Sequence, residues 1–189
     1  MENLEIEYKV LVKKKYLDIL KMYFRFEGYE RRSFNQINTY FDTKDFKLRV
    51  LHLSLRIRHI IKNNTYILTL KEPQKEGRLE HEYDVKGNSI DNINQEVIDI
   101  LDKYNIDIKD IEEVAKLQTK RYEYNYEGCT ICLDYNSYYG KKDYEIECEA
   151  ASSKQAIDTL THLLKKFNIP YQETRYPKIV RAIQNRIIK

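Results

Sequence analysis

The sequence predicts an α+β fold in which a closed, eight-stranded antiparallel β-barrel with a charged lumen is flanked by amphipathic helices. The first observation is that short segments with alternating charged and apolar residues recur from residue 4 to residue 150. Such alternation is typical of strands that have two different faces. The second is that turn signals separate these segments and stretches of helical period interrupt them. A closed barrel is favoured over an open sheet because closure removes the exposed strand edges.

Length and composition indicate one soluble domain that covers residues 1–189. A hydrophobic content of 42% is enough for a core, and 33 basic against 30 acidic residues do not indicate a nucleic-acid or membrane partner. We find neither a signal peptide nor an apolar run long enough to span a membrane, so we expect a cytoplasmic protein. Cys129 and Cys132 lie three apart in a predicted strand and face opposite ways, which argues against a redox pair.

The first half of the chain alternates between strand and helix signals. The apolar residues of 13–27 recur at helical spacing and Gly28 provides a stop. Asn63-Asn64 is a plausible hairpin turn between two strands. The predicted elements are a strand at 4–10, a helix at 13–27, a strand at 36–41, a helical turn or loop at 44–49, and strands at 53–58, 65–71 and 78–85.

The second half begins where the period changes to that of a helix. Ser89 or Asp91 can cap this helix, Ser152 or Ser153 can cap a later one, and Pro177 suits the first turn of the last. The predicted elements are helices at 89–104 and 107–115, strands at 119–126, 130–135 and 144–150, and helices at 152–167 and 178–188.

The charged faces of the strands decide which side of the barrel is the inside. An ordinary barrel would keep an apolar core and expose these charges, and cross-strand ion pairs would then occupy its surface. The charges instead cluster into like pairs, which repel one another unless a ligand lies between them. We therefore expect them to line the lumen, and these residues are Glu5, Glu7, Lys9, Arg56, Arg58, Lys71, Glu80, Glu82, Arg121, Asp134, Glu145 and Glu147.

This set of residue types suits a metal-dependent phosphate site. Paired carboxylates are oxygen ligands for Mg²⁺ or Mn²⁺. Arginines can meet phosphate oxygens in bidentate fashion, and lysines act as point charges. A glycine-rich phosphate loop is absent from the sequence, so strand side chains would have to do the chemistry.

The ordered series of motifs resembles the CYTH superfamily, the triphosphate tunnel metalloenzymes. The motifs are Glu5-x-Glu7-x-Lys9, Tyr40-Phe-Asp-Thr43, Leu55-Arg-Ile-Arg58, Thr69-Leu-Lys71, Glu80-x-Glu82, Lys120-Arg121, Asp134 and Glu145-x-Glu147. The resemblance implies an eight-stranded antiparallel tunnel that acts on a triphosphate with a divalent metal. Members include inorganic, thiamine and RNA triphosphatases and class IV adenylate cyclases.

The resemblance also implies roles for individual residues. The expected triphosphate ligands are Lys9, Arg56, Arg58, Lys71 and Arg121, together with Lys178, which follows Pro177 where the family often has Ser-Lys. The expected ligands of Mg²⁺ or Mn²⁺, which would also orient the attacking water, are Glu5, Glu7, Asp134, Glu145 and Glu147. Glu80 and Glu82 would serve a second metal or act as a base. The candidate catalytic residues are Glu5, Glu7, Lys9, Lys71 and Glu147.

Three functions are consistent with this site. The leading hypothesis is hydrolysis of inorganic triphosphate or an organic triphosphate, with water as the nucleophile. The second is a class IV adenylate cyclase that makes cyclic AMP, and the third is a binding module without turnover. The third hypothesis is less favoured, because a module that only binds an anion gains nothing from additional carboxylates that hold no metal. Self-association as a homodimer could cover apolar outer surface that the helices leave open.

Overall fold

The computed structural model describes residues 2–174 and 176–187 and has the predicted α+β class. Its α-helices are α1 (Lys14–Phe26), α2 (Lys47–Val50), α3 (Gln95–Lys103), α4 (Ser153–Lys166) and α5 (Lys178–Ile187). Its strands are β1 (Glu2–Glu5), β2 (Glu7–Leu11), β3 (Arg31–Thr43), β4 (Ser54–Ile60), β5 (Thr65–Pro73), β6 (Arg78–Val85), β7 (Ile111–Tyr126), β8 (Cys129–Tyr138), β9 (Lys141–Glu149) and β10 (Gln172–Glu173). None of the helices in the described part of the chain is long and apolar enough to cross a bilayer.

All these strands form one curled antiparallel sheet. The strand order is β1-β6-β5-β4-β3-β7-β8-β9-β2-β10. Ile6 alone separates β1, which pairs with β6, from β2, which pairs with β9. Because consecutive segments of one chain pair with β6 toward one end of this order and with β9 toward the other, the sheet curls so that both strands lie beside the β1–β2 joint.

The outer face of the sheet is apolar and helices cover it. On one side α1 and α4 pack against β2, β7, β8 and β9 in a cluster that includes Phe24, Tyr124 and Leu160. The rings of Phe24 and Tyr124 stack with their centroids 4.5 Å apart. On the other side α2 and α3 cover β4 and β5. Each long helix has a single apolar stripe, so burial of this stripe fixes the helix on the sheet.

The last helix, α5, packs against the other side of the sheet. Ile179, Ala182 and Ile183 contact a cluster that contains Tyr40 and Leu117. Leu117 has the same strand parity as Arg121, and Tyr40 lines the main cavity, so α5 covers one end of the inner face.

Two predicted elements differ from the structure. The predicted helix at 107–115 is wrong: a 3₁₀ turn occupies only Ile108–Asp110, and β7 begins at Ile111 and pairs with β3 along its length. This long pairing outweighs the local helical spacing. The predicted helix at 89–104 starts later, at Gln95, after a 3₁₀ turn at Ile90–Asn92 that Ser89 caps.

The other boundaries shift by smaller amounts. The opening strand is divided at Ile6, which together with β10 gives ten strands in the described chain instead of eight. Ser152 caps α4 as predicted, because its side chain accepts a hydrogen bond from the Gln155 amide. Ile188, the predicted end of the last helix, lies outside the described residues.

The turn between β5 and β6 packs tightly against the joint between β1 and β2. A Cβ atom added to Gly77 would lie 2.3 Å from the backbone oxygen of Glu5 and 2.9 Å from the Ile6 side chain. Gly77 also has a φ of +76°, in the left-handed region that favours glycine. The absence of a side chain at Gly77 thus lets the turn meet the β1–β2 joint.

We expect Gly77→Ala to destabilise the fold by about 2 kcal/mol or more, because a left-handed φ and a backbone clash both oppose it. Gly28→Ala is the matched control, since Gly28 has a similar φ of +75° with no atom within 4 Å of the added Cβ. Urea unfolding of both variants measures the difference. Equal losses in the two variants would contradict the close packing at Glu5.

Candidate active site

The inner face of the curled sheet encloses a charged cavity of about 240 Å³. Seven cationic and three carboxylate side chains of the described residues line it: Lys9, Arg56, Arg58, Lys71, Arg78, Arg121 and Lys178, and Glu5, Glu7 and Glu147. A second cavity of about 380 Å³ continues along the same face and adds Glu80, Glu82, Glu123 and Glu149. The predicted inside-out arrangement, with charges inward and apolar residues outward, is therefore present.

Three of the guanidinium groups in the lumen come from two strands, β4 and β7. Arg56 and Arg58 project from β4, and Arg121 projects from β7 across β3. Burial, with the neighbouring charges of Arg56 and Arg121, lowers the pKa of Arg58 to about 10. The Arg58 Nε atom is 3.4 Å from the Asn38 Oδ1 atom, a long contact with a neutral group. Positive charge at this point is thus incompletely neutralised by the protein.

The first group of carboxylates lies where β1, β5 and β6 meet. The Lys71 ammonium contacts both Glu5 and Glu80. The Arg56 Nη2 atom is 3.8 Å from the Glu80 Oε1 atom. Burial raises the pKa of Glu80, but Lys71 and Arg56 outweigh it and lower the pKa below its ordinary value. Glu80 is therefore an anion at neutral pH.

The second group lies on β8 and β9 beneath Arg121 and Lys178. Arg121 donates from Nε and Nη2 to the two oxygens of Asp134, at 2.8 and 2.7 Å, and also contacts Glu147. Lys178 contacts Asp134 and Glu147, and its Nζ atom is 3.4 Å from the Glu145 Oε2 atom. Burial acts to raise the pKa of Glu147, but Lys178, Arg121 and Lys9 lower it well below the usual range.

These positions follow from strand register. Lys9 lies opposite Glu147 across β2 and β9, and Lys71 lies opposite Glu80 across β5 and β6. Arg121 lies opposite Asp134 across β7 and β8. Cross-strand pairing therefore places a cation beside a carboxylate at each of these points.

The carboxylates of this second group fit a divalent cation. The Glu145 side chain is fully buried, and within the described residues its Oε1 atom has no hydrogen-bond partner. Glu147 and Glu149 offer oxygens that lie within 4.8 Å of one another and of the Cys132 sulfur. A buried carboxylate oxygen without a partner is costly, and oxygen donors are what Mg²⁺ and Mn²⁺ prefer.

The structure brings all predicted site residues to the inner face, but they differ in access. Asp134 is fully buried under Arg121 and Lys178, and both of its oxygens accept hydrogen bonds from cations. Glu5, Glu7, Lys9 and Glu147 line the cavity itself.

Sequence reasoning did not select several residues that the structure places in or beside the lumen. Arg78, Glu123 and Glu149 have the parity of the selected residues on their strands, so parity alone could have found them. Cys132 shares this parity, whereas Cys129 packs in the outer apolar cluster, which confirms that the two cysteines face opposite ways. Arg181 lies on α5, and no pattern in the sequence marks it.

Comparison with known proteins identifies the family. The CYTH domain model matches residues 3–176. The chain belongs to the CYTH family. A Bacillus subtilis CYTH relative, named "Putative triphosphatase YjbK", is 38% identical over 192 residues, which cover 98% of this chain and 97% of that protein.

Solved structures share this CYTH fold. A Bacillus halodurans structure described as a "putative adenylate cyclase" has a TM-score of 0.84 at 34% identity and covers 95% of this chain and 97% of its own. HpAC1 from Hippeastrum has a TM-score of 0.72 at 24% identity, with 96% and 95% covered.

The carboxyl group of Glu149 gives a pH-dependent prediction. Burial, opposed by Arg121 and reinforced by Glu147, raises its pKa from an ordinary value of 4.5 to about 7. Between these values the folded metal-free protein binds a proton that the unfolded chain releases, so the free energy of unfolding falls as pH rises from 4.5 to about 7 and levels off above that. We expect the Glu149→Gln variant not to show this loss of stability between pH 5 and pH 8, because glutamine does not ionise.

Thermal unfolding in the presence of a chelator measures the effect. The variant should unfold at a higher temperature than the parent protein at pH 8 and at a similar temperature at pH 5. Glu112→Gln, on the exposed part of β7, is the control. Its unfolding temperature should match that of the parent protein at both pH values. A Glu149→Gln effect of equal size at pH 5 and pH 8 would contradict the raised pKa.

Proposed function

We propose that this CYTH protein is a Mg²⁺- or Mn²⁺-dependent triphosphatase that hydrolyses a phosphoanhydride of inorganic triphosphate or of an organic triphosphate. In this proposal β1 and β2 act as one strand, the two-residue β10 lies outside the tunnel, and the other strands form an eight-stranded tunnel around the substrate. The observation that carries the proposal is the cluster of Arg56, Arg58 and Arg121 in a lumen that also holds paired carboxylates.

The cations of the lumen provide the triphosphate site. Burial first, and then the neighbouring Arg56 and Arg121 charges, lower the pKa of Arg58, so an anion bound beside it would relieve both the desolvation and the repulsion. Arginine can meet phosphate oxygens in bidentate fashion, which orients the chain as well as neutralising it. Lys9, Lys71 and Lys178 already lie against carboxylates and would add point charges along the chain.

The carboxylates provide the metal site. Glu5, Glu7, Glu145 and Glu147 would hold the ion. The Oε1 atom of Glu145, which accepts no hydrogen bond from the described residues, supports this. Asp134 would contribute by holding Arg121 and Lys178 in place. When bound, the ion neutralises the negative charge that builds up as the phosphoanhydride breaks.

The residues of the chain then orient and activate the attacking water. In hydrolysis the water oxygen bonds to the terminal phosphorus, the phosphorus–oxygen bond to the bridging atom breaks, and the electron pair leaves with that oxygen. The proton of the water goes to a carboxylate, for which Glu80 and Glu82 are candidates because they line the same face. Lys71, which contacts Glu80, stabilises phosphate charge next to this acceptor.

The names of the relatives support a triphosphate as substrate and leave one alternative reaction to test. YjbK is named as a triphosphatase, whereas the Bacillus halodurans structure is described as an adenylate cyclase. Both reactions require a triphosphate and differ in the nucleophile, which is water in one and a ribose hydroxyl in the other.

A substrate panel tests the proposal. Inorganic triphosphate, thiamine triphosphate, ATP and GTP are each supplied with Mg²⁺, with Mn²⁺ and with a chelator, and phosphate, pyrophosphate and cyclic AMP are measured. We expect metal-dependent release of phosphate. Formation of cyclic AMP from ATP would contradict hydrolysis and indicate an adenylate cyclase. Binding of a triphosphate without turnover would indicate a binding module instead of an enzyme.

Two substitutions separate binding from turnover. We expect Arg58→Ala to raise the KM at least about tenfold, because a charge-assisted contact with phosphate is lost. We expect Glu147→Gln to lower kcat by about 100-fold or more, since the carboxylate no longer holds a metal ion.

Arg25→Ala on α1 and Glu112→Gln on β7 change the same residue types at exposed positions and are the controls. Circular dichroism establishes that each variant is folded. Full activity in both lumen variants would exclude the lumen as the site of reaction.

A further inference from the structure

Arg181 is a buried arginine on α5 that contacts the candidate site without lining the cavity. Its side chain is only 8% exposed. Its Nε atom donates to Asp143 Oδ2 at 2.9 Å, and its Nη2 atom donates to Glu145 Oε2 at 3.0 Å. Its Nη1 atom donates to the Thr174 hydroxyl at 3.2 Å and to the Tyr176 carbonyl at 2.9 Å. One guanidinium thus joins three parts of the chain.

The partners of Arg181 on β9 are themselves fixed. Asp143 also accepts hydrogen bonds from the Asn136 amide at 2.9 Å and from the Tyr138 hydroxyl at 2.7 Å. The Thr119 hydroxyl donates to Asn136 at 2.7 Å. This network spans β7, β8 and β9, so Arg181 is anchored to a rigid part of the sheet.

The remaining contacts of Arg181, with Thr174 and Tyr176, lie just before the start of α5. Thr174 and Tyr176 precede the helix, and Lys178 is its first residue. Lys178 and Arg181 are three residues apart, a spacing that places two side chains on the same face of a helix. Lys178 contacts Asp134 and Glu147, while Arg181 holds Glu145 and Asp143 beside them.

We propose that Arg181 is a positioning residue for the candidate active site: it clamps the start of α5 to β9 and so places the Lys178 ammonium between Asp134 and Glu147. The guanidinium is suited to this because its five N–H donors are spread over a rigid planar fork, so one side chain reaches two carboxylates on β9 and a hydroxyl and a carbonyl before α5. The use of Lys178 to bind a triphosphate rests on the proposed function. The placement of Lys178 by Arg181 does not.

Arg186 provides a matched control on the same helix. Its Nη1 atom donates to the backbone oxygens of Glu113 and Val114, at 3.0 and 2.6 Å, and so attaches the far end of α5 to β7. It contacts none of the lumen carboxylates among the hydrogen bonds and ion pairs of the described residues. Loosening of α5 in general would follow from either substitution, whereas misplacement of Lys178 should follow only from that of Arg181.

The first experiment measures the position of Lys178 without any ligand. The protein is labelled with acetic anhydride, and mass spectrometry compares the acetylation rate of Lys178 with that of the exposed Lys154. We expect Arg181→Gln to raise the relative rate several-fold and Arg186→Gln to leave it unchanged. An unchanged rate in Arg181→Gln, or an equal rise in Arg186→Gln, would overturn the proposal.

Arg181→Lys covers the case in which Arg181→Gln fails to fold. It keeps the buried charge but loses the fork, so Lys178 labelling should rise in the same direction by a smaller amount. Labelling equal to that of the parent protein in a folded Arg181→Lys variant would also count against the clamp.

The second experiment links the position to binding through a double-mutant cycle with inorganic triphosphate. We expect Arg181→Gln to raise the KM about tenfold with a smaller change in kcat, as for other residues that orient a ligand through a second side chain. In a Lys178→Ala background the same change should have less than about a twofold effect, because its target is already gone. Additive effects would contradict action through Lys178. Absence of turnover in the parent protein would defeat the proposed function and leave the labelling result to decide the role of Arg181.

Discussion

The bidentate pair of Arg121 and Asp134 is the interaction on which the lumen depends. Asp134 is fully buried, and a charge without a partner at such depth would cost several kcal/mol. Arg121 from β7 satisfies both of its oxygens, and Lys178 from α5 adds a second cation. Glu147 from β9 contacts both cations and balances the second one. Neutrality of this cluster therefore requires β7, β8, β9 and α5 to be in place together, which ties the last helix to the centre of the sheet.

This charged interior explains where the helices lie. A sheet that turns its ionic face inward has its apolar face outward, and exposure of that much apolar surface to water is unfavourable. The chain places α1 and α3 in connections between strands and adds α4 after β9, so each helix can fold back on the outside. Of the helices in the described ranges, only α5 packs on the inner side, and it differs from the others by carrying Lys178 and Arg181 toward the carboxylates.

Strand parity explains why so much of this site could be predicted from the sequence. Alternation has a period of two, so once Glu5 is assigned to the inner face the faces of its neighbours follow. The same rule fails where pairing partners decide the structure. Residues 107–115 have helical spacing, yet Ile111 and the residues after it form a strand because they pair with the long strand β3. The division of the first strand at Ile6 also depends on its two partners, β6 and β9, which no local pattern reveals.

Arg181 could not be predicted for a different reason. Its partners, Asp143 and Glu145, are about 40 residues away, and a helix allows a side chain to point in any direction around its axis. An arginine on an amphipathic helix is usually a solvated residue. Only the docking of α5 onto the inner face makes it a buried one.

The balance of charges in the lumen indicates what kind of ligand it can accept. Among the described residues, seven cations and three carboxylates line the main cavity, while Glu80, Asp134 and Glu145 contact some of those cations. A bare anion would have to displace these internal partners, and a bare metal ion would meet the guanidinium groups. Under the proposed function a metal ion and a triphosphate together would satisfy both sets, because the metal would take the released carboxylates and the phosphates the released cations. The ion pairs of the lumen hold both sets of side chains in one cavity, so under the proposed function these side chains would exchange partners with little movement when the ligands bind.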